Sequence, residues 1–451
     1  MRNSGTTITM VITSYLLGGC LVLKDGNLEG GDEDTTGAPG DGDGSSDSDG
    51  GGDGDGDQEP PVPISIDGDG CQAGLDILLI LDNSGSMGKK QALLAGALFD
   101  PLLSSLELDG LDWRLAVTTT DIGGNPWCVP NGNPPEDGHF QLRSCNEHLD
   151  DFVFNGETDA RDIACNDICA YPPGKIHTLE TTTADDPQPA SRPWLERIGG
   201  KSNLSMDLDP VAAALCLVPQ GINGCGYEQP LEAMAAALEL ATTPGNAESG
   251  FLRDEAGLLV VIVTDEADCS FADESIFLPE GERTFWSDPN DAFPTSAVCW
   301  NAGVSCTGDP SGYDDCVAAD FDVHGSPTAP ALAVLRPVAG YIDVLRQIEQ
   351  QKRALDPGAD VSVLVISGVG TDGELHYGTA AGDEAFEYSF GIGPGCEAAA
   401  VGGGESVQAV PPVRLREVGE AMSSEALASI CASSYFDALS GVYDRLLGAC
   451  E

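Results

Sequence analysis

Positive charge is what this sequence has least of. Twenty Lys and Arg stand among 451 residues against 74 Asp and Glu, a formal net charge of −54. Fifteen of those acids, Asp25 to Asp69, precede Cys71 beside only Arg2 and Lys24, which leaves −41 on the remainder. Such a field repels nucleic acid and anionic membrane surfaces, and it attracts divalent cations and basic partners. Histidine is nearly as scarce. The five present (His139, His148, His177, His324, His376) form no His-Glu-x-x-His, which removes a common zinc-hydrolase motif. No Cys-x-x-Cys occurs, and Cys165-x3-Cys169 has no second pair beside it, so a zinc site built on thiolates is not expected. No Gly-x-Ser-x-Gly elbow surrounds any serine of interest. The apolar run near the start is about a dozen residues, too short to span a bilayer, and no other stretch is long and apolar enough to do so.

The hydrophobic share, 41%, suffices for a sizeable core. The first twenty residues, "MRNSGTTITMVITSYLLGGC", hold Arg2 and then a mildly apolar run to Leu17. That length suits the h-region of an export signal. The run ends in Leu17-Gly18-Gly19-Cys20, which resembles the lipobox of bacterial lipoproteins, and the resemblance implies cleavage before Cys20 and acylation of its thiol. Removing Cys20 from the fifteen cysteines leaves fourteen, an even number suited to an oxidising compartment and up to seven disulfides.

Residues 21–70 are low in complexity, as in "GDGDGSSDSDGGGDGDGDQEPPVP". Gly, Ser and Asp cannot build a core, so the segment reads as an acidic tether spanning roughly 40 Å. From Cys71 onward, apolar runs alternate with helical patterns. Leu75–Asp82, Trp113–Asp121, Leu258–Asp265 and Val361–Val369 read as strands buried on both faces. Leu94, Ala97 and Leu98 recur at helical spacing, as do Leu231, Met234, Ala235 and Leu238. Val338, Tyr341, Ile342, Leu345 and Ile348 form a third stripe, closed by Asp356-Pro357-Gly358, and a last stripe runs from Phe436 to Leu447. The pattern predicts an α/β domain over 71–451 with a mostly parallel sheet covered on both faces. Two stretches lack periodicity and are rich in Pro, Gly, Asp and Cys: about 122–201 and about 270–332. Both read as disulfide-pinned insertions.

The chemistry gathers where strands end. In an open parallel sheet, ligands bind outside the carboxyl ends of the strands, where strand order reverses. "LDILLILDNSGSMGKKQ" ends a buried strand in Asp82, Ser84 and Ser86, and "LLVVIVTDEADCS" ends another in Asp265. If the two strands are neighbours, two carboxylates and two hydroxyls converge. Such hard oxygens suit Mg²⁺ best, with Mn²⁺ or Ca²⁺ as alternatives. "SGVGTDG" contains Gly368-x-Gly370-x-x-Gly373 after a strand, but "ELHYGTAAGDEAF" is a poor helix, so no nucleotide cofactor is expected. Asp121 also ends a strand, in "AVTTTD", and reads as a turn acid, with a place behind the metal ligands as the alternative.

"DNSGSM" after an apolar strand resembles the Asp-x-Ser-x-Ser signature of von Willebrand factor A domains, and "VVIVTDEAD" resembles their second acidic strand end. The resemblance covers about Cys71 to the C-terminus, interrupted by the two insertions. It implies a doubly wound fold with a metal-ion-dependent adhesion site, in a binding module rather than an enzyme. The family has a Thr ligand before the helix that here begins near Glu228. "QGINGCGYEQPLEAM", from Gln220 to Met234, holds no Ser or Thr. Glu228 is there either as a ligand or as a first-turn acid capping the helix, while water, Ser202 or Ser205 are other sources of the missing oxygen. Cys71 and Cys450 are expected to pair, as ends brought together by such a fold.

The expectation is therefore an exported protein, lipid-anchored at the bacterial cell envelope, that binds a protein or other macromolecular ligand through a divalent ion. The alternative is a structural envelope component whose metal only stabilises the fold. A metal-dependent hydrolase ranks last because no general base or activated nucleophile can be named.

Overall fold

The computed structural model describes residues 74–128, 134–156, 158–379, 383–398, 407–423 and 426–435. Cys20, the 21–70 tether, Cys71, Cys450 and the stripe from Phe436 lie outside the described residues.

A mixed seven-stranded sheet forms the centre. In chain order its strands are β1 Gly74–Leu81, β2 Asp112–Thr119, β3 Leu195–Ile198, β4 Lys201–Ser202, β5 Gly257–Val263, β6 Val361–Ser367 and β7 Leu427–Ser429. Their spatial order is β7-β6-β5-β1-β2-β3-β4. β1 pairs in parallel with both β2 and β5, and β6 and β7 continue in parallel on the β5 side. On the other side β3 runs antiparallel to β2 and turns back into β4. Each of the four predicted strands is present, ending one or two residues earlier than the apolar run suggests. Order reverses at β1: the chain steps outward to β2 on one side and later to β5 on the other. The exits of β1 and β5 are therefore adjacent and point the same way.

Helices cover both faces. α1 Gly88–Leu94 passes through a π-helical turn, Ala95–Phe99, into α2 Asp100–Leu108. Pro101 explains the wide turn, since it lacks the N–H that a regular helix would send back to Ala97. α3 Pro210–Leu217 is capped by Asp209, which accepts from the Ala212 amide at 2.9 Å. α4 Pro230–Thr242, α5 Ala297–Gly303, α6 Val338–Leu355, α7 Glu384–Phe390 and α8 Val413–Met422 follow. Leu75, Ile77, Leu79 and Leu81 of β1 pack with α1, α2 and α3 on one face. Leu78 and Ile80 pack with α4, α6 and α8 on the other. Because β1 lies between two helix layers, both its faces are apolar except at Asp76, which is buried and paired with Arg253 Nε at 2.8 Å. The stripe Val338, Tyr341, Leu345 and Ile348 is buried in α6 as predicted.

Disulfides pin the irregular stretches. Cys145–Cys165 closes a knob within the first, and Cys169–Cys216 ties it to α3. Cys128–Cys225 ties the start of that stretch to the loop before α4. Cys269–Cys299 and Cys306–Cys316 staple the second, which holds α5 and a hairpin, Val304–Asp309 with Gly312–Ala318. Cys396–Cys431 links the Cys396–Ala398 ladder to the residues after β7. The last residues of the first stretch return to the sheet as β3. No helix among the described residues is long and apolar enough to cross a membrane.

Candidate functional site

The ladder continues one residue past the strands, which sets the site's floor. The Asp82 amide donates to the Val263 carbonyl at 2.9 Å, and the Thr264 amide donates to the Ile366 carbonyl at 3.2 Å. Asp82 is fully buried. Its Oδ1 accepts from the Ser84 amide at 2.7 Å, and its Oδ2 from the Thr264 hydroxyl at 2.6 Å. The Ser84 and Ser86 hydroxyls stand 3.3 Å apart; Ser84 is buried and Ser86 is exposed, so the hydroxyl pair runs from the interior to the surface. Asp265, also buried, accepts at Oδ2 from the Lys90 ammonium of α1, while its Oδ1 has no partner among the described residues.

The loop before α4 closes one side. Gly224 donates its amide to the Asn83 carbonyl at 2.9 Å, and a Cβ at Gly224 would stand 2.1 Å from Asn83 Oδ1, so only glycine fits this approach. Gln91 locks the same loop: its Nε2 donates to the carbonyls of Asp82 and Gly221, at 3.0 and 2.6 Å, and its Oε1 accepts from the Gln220 amide at 3.0 Å. Glu228 is thereby carried inward. It precedes the helix, which starts at Pro230, and it does not cap it. The first-turn acid is Glu232, and Glu228 is buried with Oε2 accepting from the Thr120 hydroxyl and Oε1 without a partner among the described residues.

Ser202 lies beside Arg197, itself paired with Trp113 near the start of β2, at the end of the sheet away from Asp82. Ser205 donates to Asp207 on the surface at 2.7 Å. Neither serine stands with the other four residues.

Four acids thus share one buried region with a single lysine on them. Burial, and then repulsion from Asp265, push Asp82 from its ordinary 3.8 up to about 7. Burial first, then the charges of Asp82 and Glu266, hold Glu228 well above the carboxylate range. Glu266 is raised by burial, then by Asp82 and Asp265, although the Ser296 hydroxyl and Lys90 pull it down. Asp121 accepts a backbone hydrogen bond from Cys225, and burial with the Asp137 charge raises it to about 6. It adds to the field on Glu228, so it acts as a second layer of negative charge.

As a donor set these residues fit a hard divalent ion: carboxylate and hydroxyl oxygens in excess negative charge, with one oxygen each of Asp265 and Glu228 lacking a partner among the described residues. In placement, no three His, Cys, Asp or Glu side chains among the described residues converge at coordination distance. Thr264 holds Asp82, Lys90 holds Asp265 and Thr120 holds Glu228. Sequence reading singled out none of Lys90, Gln91, Thr120, Thr264 and Glu266. Thr264 and Glu266 flank Asp265 in the quoted motif and were the most findable. The Gly368 segment leads into a turn at Thr371 and Asp372 and then irregular chain to 379, and the next helix among the described residues begins at Glu384.

No protein-family model matches the chain, and no curated protein matches it. Among solved structures, the pilus adhesin RrgA from Streptococcus pneumoniae is similar at a TM-score of 0.31 and 12% identity, covering 82% of this chain and 44% of that one. The chain spans less than half of that adhesin's length, and at such a TM-score the likeness does not establish a shared fold.

Proposed function

We propose that this chain is an exported binding protein whose doubly wound, von Willebrand factor A-like domain presents a divalent ion, Mg²⁺ first, to a protein or other macromolecular ligand. Asp82, Ser84, Ser86 and Asp265 are the proposed ligands, with Glu228 the further carboxylate beside them. The observation that carries this reading is the meeting of buried acids at the adjacent exits of β1 and β5, with an oxygen each of Asp265 and Glu228 lacking a partner among the described residues. Buried carboxylates without partners are costly unless a cation compensates them. The reversal of strand order at β1 and the helices on both faces support the doubly wound reading. Six disulfides among the described residues support export to an oxidising compartment, and Cys20 is the proposed lipid anchor.

Glu228 favours a second reading, in which the ion only stiffens the loops. A third carboxylate would neutralise the charge that attracts an acidic ligand. Two measurements separate these. Mg²⁺ or Ca²⁺ should raise the melting temperature of the wild type, and Asp82→Ala should abolish the rise; equal responses from both proteins would remove the site. A pull-down from a native envelope with and without EDTA then decides use. A ligand released by EDTA supports adhesion, and one retained supports the structural role.

A further inference from the structure

Lys89 and Lys90 are adjacent in sequence and opposite in setting. Lys89 is exposed, whereas the Lys90 side chain is 5% exposed with its Nζ on Asp265 Oδ2 and 3.5 Å from the Gln408 carbonyl. The same loop that carries Asp82, Ser84 and Ser86 feeds directly into α1, so the helix's first turn aims this lysine back over the acids. A lysine buried against an acid at the exit of a central strand needs an explanation, because ordering and desolvating both groups opposes folding. The cluster around it supplies one. Asp82, Glu228, Asp265 and Glu266 bring four carboxyl groups together, and Lys90 is the basic side chain the structure places on them.

We propose that Lys90 is a tethered cation that competes with the divalent ion for Asp265, holding that carboxylate until the ion displaces it. The inference rests on the divalent-ion reading above and adds a residue that sets the affinity. Two features support competition rather than simple neutralisation. First, a divalent ion on Asp265 and an ammonium on the same carboxylate repel at contact range, so one weakens the other. Second, among the described residues no three acids converge at coordination distance while Lys90 engages Asp265, so gathering them around an ion calls for Asp265 to turn away from the lysine. Lysine suits the task, since its ammonium is a compact point charge on a flexible four-carbon stem that can leave without disturbing the backbone. The partner it would leave behind, Asp265, keeps its backbone position through its carbonyl, which accepts from the Val410 amide at 2.9 Å.

The test is isothermal titration of Mg²⁺ and of Ca²⁺ into the oxidised full chain, as wild type, Lys90→Met and Lys90→Arg. Lys90→Met should bind roughly tenfold tighter or more, because the ion no longer displaces a charge-assisted hydrogen bond. Lys90→Arg keeps the charge and offers a two-point grip on the carboxylate, so it should bind about tenfold weaker. In EDTA the Lys90→Met protein should melt below the wild type, and saturating ion should close that gap. If Lys90→Met does not fold, the Lys90→Arg result decides: weaker binding supports competition, and equal or tighter binding overturns it. If the wild type binds and Lys90→Met binds equally or more weakly, Lys90 instead orients Asp265 and the competition fails while the metal site stands. If none of the three binds either ion, the metal reading fails and takes this one with it.

Discussion

Thr264 gives its hydroxyl to Asp82 Oδ2 at 2.6 Å and so joins the exit of β5 to the exit of β1. With Ser84 donating to the other oxygen, both atoms of a fully buried carboxyl are satisfied by the chain itself. Thr264→Val keeps the shape and removes the donor, leaving a buried acceptor unpaired. It should cost about 1–3 kcal/mol in urea unfolding, whereas Thr264→Ser should cost less. Equal losses in the two variants would show that shape, not the hydrogen bond, matters at this position.

Stability should depend on pH in a direction set by these acids. Asp82 is raised from 3.8 to about 7, so between those values the folded chain keeps a proton that the unfolded chain has released. Stability from this group is therefore greatest at acid pH, falls as pH rises from about 4 to about 7, and levels off above. Glu228 and Glu266 are shifted in the same direction and add to the slope. Denaturant unfolding in EDTA should show a shallower fall for Asp82→Asn than for the wild type over this window. Saturating Mg²⁺ should flatten the wild-type slope, because the ion favours the ionised acids. A wild type as flat as the variant in EDTA would contradict the burial argument.

How far the sequence reveals this arrangement depends on which residues are asked. β1, β2, β5 and β6 are legible because strands buried on both faces are mostly apolar, continuously so in the "LLVVIV" of β5 and interrupted only by Asp76 in β1, Arg114 in β2 and Ser362 in β6 before their ends. The edges are not: β3 is the four residues Leu195–Ile198, with polar Glu196 and Arg197 inside an aperiodic stretch, and β7 is three residues long. Asp82 and Asp265 are legible as acids that end apolar runs. Lys90 is hidden, since two adjacent lysines read alike until α1's direction shows which one turns inward. Glu228 is hidden for a different reason. An acid beside a helix start has two roles at the sequence level, and only the Cys225 loop and Thr120 select the buried one.

The first insertion roofs the serine loop. A Cβ on Gly85 would fall 2.7 Å from the Phe154 ring, which belongs to the Val153–Phe154 ladder. Gly85→Ala should therefore displace the Ser84–Ser86 loop or the ring and lower the metal-dependent rise in melting temperature. Adding Phe154→Ala should recover part of that loss, so the pair should be coupled by about 0.5–3 kcal/mol in a double-mutant cycle. Additive effects would show that the knob and the loop do not press on one another.

Arg114 and Glu196 offer a contrasting site, where charge is fully matched. Arg114 Nε donates to Glu196 Oε2 at 2.9 Å, and its Nη1 donates to the carbonyls of Gly250 and Phe251 at 2.6 and 2.9 Å. Trp194 Nε1 donates to the same Glu196 oxygen at 3.0 Å, and this network fastens β3 to β2. Arg114→Met leaves a buried carboxylate without its cation and should cost about 3–5 kcal/mol. Replacing both, Arg114→Met with Glu196→Leu, should recover much of that in the same unfolding assay. Neither change should alter Mg²⁺ affinity, because Arg114 stands opposite Asp76 near the start of β1 and Glu196 beside it, at the other end of the sheet from the exits that carry Asp82 and Asp265.

Cys128–Cys225 should matter to the ion in a way the other disulfides do not. It bridges 97 residues and fastens the loop that delivers Glu228 beside Asp82. Removing it as a Cys128→Ser, Cys225→Ser pair should lower stability by about 2–5 kcal/mol, through the closed loop it imposes on the unfolded chain. The Cys306–Cys316 staple bridges only 10 residues in a hairpin of the second insertion. Its removal should cost less, since loop-closure entropy grows with loop length. The discriminating quantity is the metal-dependent rise in melting temperature, measured for each variant against its own EDTA baseline. It should shrink when Cys128–Cys225 is lost and persist when Cys306–Cys316 is lost. Equal retention in both would mean that Gln91 and the Gly224–Asn83 contact hold the Glu228 loop without the disulfide.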